Sequence, residues 1–398
     1  MNIQKITTSV HPEFPNLIHV QIKTSDGIVG TGETYYFGST VAHFIHEYVA
    51  PALVGKSIID PDYISSLLTT YVGYNGSGVE TRARSAVDIA LWDIRAQAEG
   101  VPVYKLLGGT QAKQLKIYNT CAGTSYMRKS NQNSSSWGLD TEETSYQDLS
   151  RFMEDAGGLA TELLAEGISA MKIWPFDLYA ERTRGLTISD EDLELALQPI
   201  RDIRETVGSK MDIMIEMHAL WHVEPAKKIL NALKEFDIFW VEDPLLPDML
   251  DEYSELRGNG LPKIAHGETV ASKFRIKRLL EQNLIDFLTL DLGWCGGFTQ
   301  GLLYSDLARK HGVQIAPHDC TGPIGLIAGS HLATAWGGTT IQETVRAALR
   351  TWYPFIVSDL PLVERGFLTL SGQPGLGTSL RPAYLKDPPN NVQSHSGL

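Results

Sequence analysis

The sequence predicts an α/β protein in which a (β/α)₈-type parallel barrel follows a small α+β module. Three observations predict it: eight short apolar runs beyond residue 115, helix-like stretches between them, and a polar residue closing six of those runs at steps near one β/α unit. At roughly 150 residues per domain, 398 residues suggest two or three domains. With 43% hydrophobic and 20% charged residues the chain can bury a large core, which excludes bulk disorder.

Residues 17–24 alternate partly, and Asp26-Gly27 then turns the chain into IVGTGETYY, a hairpin pattern. In ETRARSAVDIALWDIRAQAEG, Ala86, Ile89, Ala90 and the pair Trp92/Asp93 recur at helical spacing, and Gly100 and Pro102 stop the helix. Residues 1–112 are therefore expected to form the α+β module. The runs LKIYNTC, ISAMKIW, MDIMIEMH, FDIFWVEDP, PKIAHGE, IDFLTLD, VQIAPHD and TTIQET follow within residues 113–350. Continuous apolar runs of this length suit strands buried on both faces of a parallel sheet. A doubly wound sheet is the runner-up, but no Gly-x-Gly-x-x-Gly opens a helix after the first strand. Residues 128–145 are polar, Ser/Asn-rich and aperiodic: a surface loop by composition, and a lid by position, because loops after barrel strands lie over the active-site face. The tail, 351–398, is too long for a frayed end and is expected to pack back on the N-terminal module.

Lys+Arg is 34 against Asp+Glu 47, a formal net charge of −13, with no basic cluster. Nucleic acid and an anionic membrane surface are thus excluded as expected partners. Cys121, Cys295 and Cys320 have neither zinc-site nor disulfide-framework spacing. The N-terminus lacks an apolar signal-peptide region and no run of 18 apolar residues occurs, so a cytoplasmic protein is expected.

Glu216, Glu242 and Glu268 close the third, fourth and fifth runs at steps of 26 and 26; Asp291, His318 and Glu343 follow at steps of 23, 27 and 25. All six should face one barrel mouth. Three carboxylates cannot share a small volume as bare anions, since each raises the others' pKa. A hard divalent cation resolves the repulsion, and oxygen-only ligation favours Mg²⁺. Lys172, closing the second run, can neutralise a substrate carboxylate or oxyanion. His318 is a candidate general base, with Asp291 one strand earlier to orient its ring. His218, two residues beyond Glu216, should share its face by strand alternation and reach the same substrate from another side. His222 and His266 are less constrained, and His266 is expected to point away from the face of Glu268. Tyr35, Tyr36, Phe37, Trp174 and Trp221 are candidate substrate-binding aromatics.

Taken with the helix SAVDIALWDIRAQAEGVPVYKLLGG, the VEDP of Glu242, the HGE of Glu268, DLGWCGG around Asp291 and the PGLG of the tail, these residues resemble the enolase superfamily in its mandelate racemase subgroup. The resemblance covers nearly the whole chain. It implies a (β/α)₇β barrel, a capping domain built from both chain ends, Mg²⁺ held by Glu216, Glu242 and Glu268, and a homo-oligomer. It also implies a first step in which the proton α to a carboxylate is abstracted, with His318 and Asp291 as the base dyad. Glu343 resembles the last-strand acid that hydrogen-bonds the substrate carboxylate. Two departures matter. Many members carry Lys-x-Lys on the second strand, where this chain has Trp174, so the opposite face lacks its usual base. The first metal ligand is commonly Asp, whereas Glu216 is longer. His218 resembles the third-strand histidine that serves galactonate-type dehydratases as acid for the departing hydroxyl. The expectation is a Mg²⁺-dependent dehydratase of an aldonate or aldarate, giving a 2-keto-3-deoxy sugar acid. The alternatives are an epimerase, racemase or cycloisomerase on the same scaffold, or a non-catalytic sugar-acid-binding protein.

Overall fold

The computed structural model describes residues 1–58, 66–68, 76, 78–110, 114–128, 133–139, 146–246, 248–337, 341–386 and 391–397. The expected domain boundary at 112/113 and parts of the 128–145 segment lie outside them.

The N-terminal half of the cap is a sheet in the order Asn391–Ser396, Ile3–Val10, Leu17–Thr24, Val29–Tyr35, antiparallel throughout. Ile18, Val20 and Ile22 bury one face against Ala83, Ala86, Val87, Ala90 and Ile94 of the helix Val79–Ala98. The opposite stripe of that helix, Ile89, Trp92 and Ala96, belongs to the barrel core. A helix apolar on two faces is a buried helix, and this one sits between the two parts of the molecule. Its buried carboxylates tie both sides to it. Asp88 accepts from the Thr299 N–H (3.1 Å), and Asp93 accepts from the Thr31 N–H (2.9 Å) and the Leu376 N–H (2.8 Å).

All eight apolar runs contribute parallel strands: Leu115–Thr120, Ala170–Ile173, Asp212–Glu216, Trp240–Glu242, Ile264–His266, Phe287–Leu288, Gln314–Ile315 and Gln342–Thr344. Residues 339–340 of the last run lie outside the described residues. The eighth strand pairs with the first, while the seventh meets the eighth through a 3.4 Å bond from the Glu343 N–H to the Pro317 carbonyl and a 3.1 Å bond from the Gln342 side chain. The interior is filled by one side chain per strand: Tyr118, Ala170, Met214, Trp240, Ala265, Phe287, Ala316 and Ile341. Alanines on the second, fifth and seventh strands leave room for the larger side chains between them, as close packing in a narrow barrel demands. The last strand leads into the short helices Arg346–Arg350 and Tyr353–Ile356.

The tail first forms the hairpin Leu362–Glu364/Phe367–Thr369, which pairs antiparallel with the start of the first barrel strand. It then crosses to the cap, where Tyr384 packs beside His19 and residues 391–396 add the edge strand. No described helix is long and apolar enough to cross a membrane.

Candidate active site

Strand alternation generates the site from the packed ring. Two residues beyond each interior side chain, on the same face, stand Thr120, Lys172, Glu216, Glu242, His318 and Glu343 on strands one, two, three, four, seven and eight. On the sixth strand the step leads to Thr289 and then Asp291. The fifth strand breaks the rule. Two residues beyond Ala265 lies Gly267 with φ +139°, a conformation L side chains rarely adopt, and a Cβ there would meet Leu288 Cδ1 at 2.7 Å. The turn at Gly267 puts Glu268 into the mouth and leaves His266 outside it, where His266 Nδ1 bonds Asp243 Oδ1 (2.5 Å) and Tyr253 Oη (3.2 Å).

Glu216, Glu242 and Glu268 each offer an oxygen within 4.8 Å of the others, and all three are buried. Lys172 Nζ lies 3.1 Å from Glu216, 2.9 Å from Glu242 and 3.0 Å from Glu343, so one ammonium serves three carboxylates. The positive charge falls short. Burial pushes Glu242 up to about 8 and Glu268 up to about 7, against the pull of Lys172 on the first and of His318 on the second. Glu242 Oε1 is buried without a hydrogen-bond partner, and Glu216 Oε2 accepts no hydrogen bond although Lys172 stands beside it. Orphaned, converging carboxylate oxygens fit a hard divalent cation. Burial alone would raise Glu343, but Lys172 and then His318 override it and hold its carboxyl below the usual range. Glu343 also accepts from the Thr120 hydroxyl and from the Asp319 N–H (3.0 Å).

Two histidines flank this cluster. His318 Nδ1 is 2.8 Å from Asp291 Oδ2, and its Nε2 is 3.3 Å from Glu268 and 4.0 Å from Glu343. Burial pushes its imidazole down, but Glu268 and Glu343 outweigh that and hold it well above the usual histidine range. Trp294 covers the ring at 5.1 Å, and Arg82 from the cap helix lies 4.6 Å over Trp294. His218 Nδ1 is 2.6 Å from Asp177 Oδ2, and Nε2 is 3.4 Å from the Tyr126 hydroxyl. Burial lowers His218 as well, and Asp177 and Glu216 reverse this, up to about 10.

His218 reaches the mouth, but not by alternation. The strand ends at Glu216, and His218 and Ala219 are both left-handed, with φ of 46° and 56°. Bonds from the Met217 N–H to the Glu242 carbonyl (3.0 Å) and from the Ala219 N–H to the Asp243 carbonyl (2.7 Å) hold that turn. The cavity above the cluster measures about 590 Å³, a size suited to a small ligand. Tyr36 and Trp174 line it together with Asn133, Ser134 and Trp137 of the 128–145 segment. Tyr35, Phe37 and Trp221 stand outside the lining. Tyr35 is buried with its hydroxyl on the Met127 carbonyl (3.1 Å), Phe37 is 53% exposed at the start of a helix, and Trp221 is buried in the barrel core. Thr120, Tyr126, Asp177 and Trp294 were not singled out by sequence. Of these only Thr120 had a signal, its place two residues beyond an inward tyrosine. The others lie past the strand ends, where no period applies.

Residues 3–108 match the mandelate racemase/muconate lactonizing enzyme N-terminal domain family, and residues 155–384 match the enolase C-terminal domain-like family. The chain is 28% identical over 381 residues to D-xylonate dehydratase of Haloferax volcanii, covering 94% of this chain and 85% of that protein. It is 28% identical over 399 residues to D-galactonate dehydratase of Ralstonia nicotianae, covering 97% and 94%. An enolase of the mandelate racemase subgroup from Agrobacterium tumefaciens superposes with a TM-score of 0.87 at 37% identity, covering 100% of this chain and 99% of that one.

Proposed function

The chain belongs to the enolase superfamily, in its mandelate racemase/muconate lactonizing enzyme family, and from that premise we propose that it is a hydro-lyase acting on a sugar acid. The reaction removes the C2 proton and the C3 hydroxyl of an aldonate or aldarate and yields a 2-keto-3-deoxy sugar acid. The relatives named as D-xylonate and D-galactonate dehydratases support the reaction class. The observation that carries the reading is the pair of histidines, each bonded to its own carboxylate, on opposite sides of the acidic triad.

Glu216, Glu242 and Glu268 would hold the cation, assigned as Mg²⁺ because every ligand is oxygen. When bound, it supplies Lewis-acid stabilisation of charge developing on the substrate carboxylate. Lys172 adds a preorganised ammonium beside that charge. Glu343, held ionised here, keeps Lys172 in place; it can donate to the substrate carboxylate only after gaining a proton. With Nδ1–H given to Asp291, His318 would accept the C2 proton at Nε2 as the neutral ring, the state reached when a cation on the triad offsets the Glu268 charge that otherwise keeps it protonated. His218 gives a proton to the C3 oxygen, which departs as water. The enol then takes a proton at C3 and loses one from its hydroxyl, so the balance is substrate minus one water. Trp174 occupies the face where a second lysine would make the site two-sided, which favours elimination over racemisation.

Purified protein with Mg²⁺ and a panel of mono- and diacid sugars in D₂O tests the reading through 2-keto acid formation and C2 deuterium. His318→Asn should lower both by about 10²–10⁴-fold, and full activity in that variant would remove His318 as the base. His218→Asn should stop water loss while C2 exchange continues. An epimerase or cycloisomerase with His218 as a second proton-transfer group would instead give a product that has lost no water.

A further inference from the structure

Asp177 opens the short helix Asp177–Thr183 after the second barrel strand, five residues beyond Lys172. Its carboxylate is 4% exposed; Oδ2 bonds His218 Nδ1 at 2.6 Å, and Oδ1 makes no hydrogen bond. Among the described residues no arginine or lysine pairs with it. Burying a carboxylate is unfavourable unless its partners compensate, and a single imidazole leaves one oxygen bare. The fold therefore gains little from Asp177 beyond the placement of one ring.

That ring needs placing. His218 sits in a left-handed turn of two non-glycine residues, a costly conformation that persists only where its surroundings impose it. The ring's other contacts are loose: the Tyr126 hydroxyl at 3.4 Å from Nε2, and Trp174 edge-on at 5.7 Å between ring centroids. The Asp177 bond is the short one, and with Nδ1–H donated to it, Nε2 is the nitrogen left for the cavity. The arrangement repeats His318–Asp291 with different elements, strands two and three in place of strands six and seven.

We propose that Asp177 is a positioning residue that fixes the His218 ring with Nε2 towards the departing hydroxyl, so that it governs water loss and leaves C2 proton removal untouched. This rests on the sugar-acid dehydratase reading. The test compares wild type, Asp177→Asn and Asp177→Glu with Mg²⁺ and D-galactonate or D-xylonate in D₂O, recording 2-keto acid formed and deuterium at C2 of recovered substrate. Asp177→Asn should lower water loss by about 100-fold or more while exchange continues, and Asp177→Glu should recover part of the loss. Rates that fall together, or do not fall, overturn the proposal. A second measurement needs no turnover: the ¹⁵N imidazole signals of the full chain, with His218 assigned by their loss in His218→Asn. Nδ1 of His218 should carry the hydrogen-bonded proton in wild type and change in Asp177→Asn; an unchanged pattern overturns the proposal on its own. Should wild type yield no 2-keto acid from any sugar acid, the dehydratase reading fails, and the nitrogen spectra still decide whether Asp177 sets the ring.

Discussion

At the scale of the residue, the decisive group is Lys172. It is buried, and its ammonium is shared by Glu216, Glu242 and Glu343 at 2.9 to 3.1 Å. Burial would lower its pKa, but Glu242 and Glu343 reverse this and keep it protonated. Removing one partner from a buried ionic cluster costs about 3–5 kcal/mol, because the remaining charges stay uncompensated. Lys172→Met should therefore lose about 3 kcal/mol in EDTA, measured by denaturant unfolding, and lose turnover as well. The sign of the metal effect is the sharper test. With Lys172 gone, a divalent cation becomes the main source of positive charge for the triad, so Mg²⁺ should recover more stability in the variant than in wild type. Equal recovery in both would mean that Lys172 and the metal site are energetically separate.

At the scale of the element, the helix Pro323–Trp336 shows how the parts are locked and where acid should loosen them. Its His331 is 1% exposed, accepts from the Tyr104 N–H at Nδ1 (3.1 Å) and reaches the Leu376 carbonyl with Nε2 (3.3 Å). One nitrogen must accept and the other donate, so the fold holds the neutral ring, and burial pushes its pKa down to about 4. An unfolded histidine titrates near 6.5. Between about 6.5 and 4 the unfolded chain binds more protons than the folded one, so this stability is fully present above that window and falls as pH falls through it, by up to about 1.4 kcal/mol per pH unit. His331→Gln should flatten the slope of unfolding free energy against pH across the window, whatever its absolute cost. Parallel slopes for variant and wild type would show that His331 does not carry the acid sensitivity.

At the scale of the whole molecule, the barrel was legible because the strands are buried runs, six of them closed by a polar residue; the ring Tyr118 to Ile341 and the residues above it follow from a period of two except on the fifth strand, where Gly267 turns the chain. Asp177, Tyr126 and Trp294 were not legible, since loops have no period, and His218 was placed by a rule that its left-handed turn breaks. The return of the tail to the cap was legible only as excess length, and its anchor was not. That anchor is Tyr384: fully buried, stacked on His11 at 5.0 Å, and bonded through its hydroxyl to His19 (3.2 Å). His19 in turn pairs with Glu33 (2.8 Å), which accepts from the Gly325 N–H (2.8 Å) at the start of the barrel helix Pro323–Trp336. One residue thus links tail, cap sheet and barrel. The strand Asn391–Ser396, by contrast, pairs six residues with the cap yet is mostly exposed, so it contributes ladder bonds of about 1 kcal/mol each, offset by the entropy of ordering the chain. Tyr384→Ala should cost about 3 kcal/mol or more, as for other buried aromatics, and should weaken substrate binding because the cap supplies Tyr36 to the cavity. A chain ending after Lys386 should lose less than half as much stability but expose the Ile3–Val10 edge and self-associate more readily at high concentration. Unfolding free energies and KM for the two variants decide it: a truncation costlier than Tyr384→Ala would make the edge strand, not the tyrosine, the clamp between the chain's two ends.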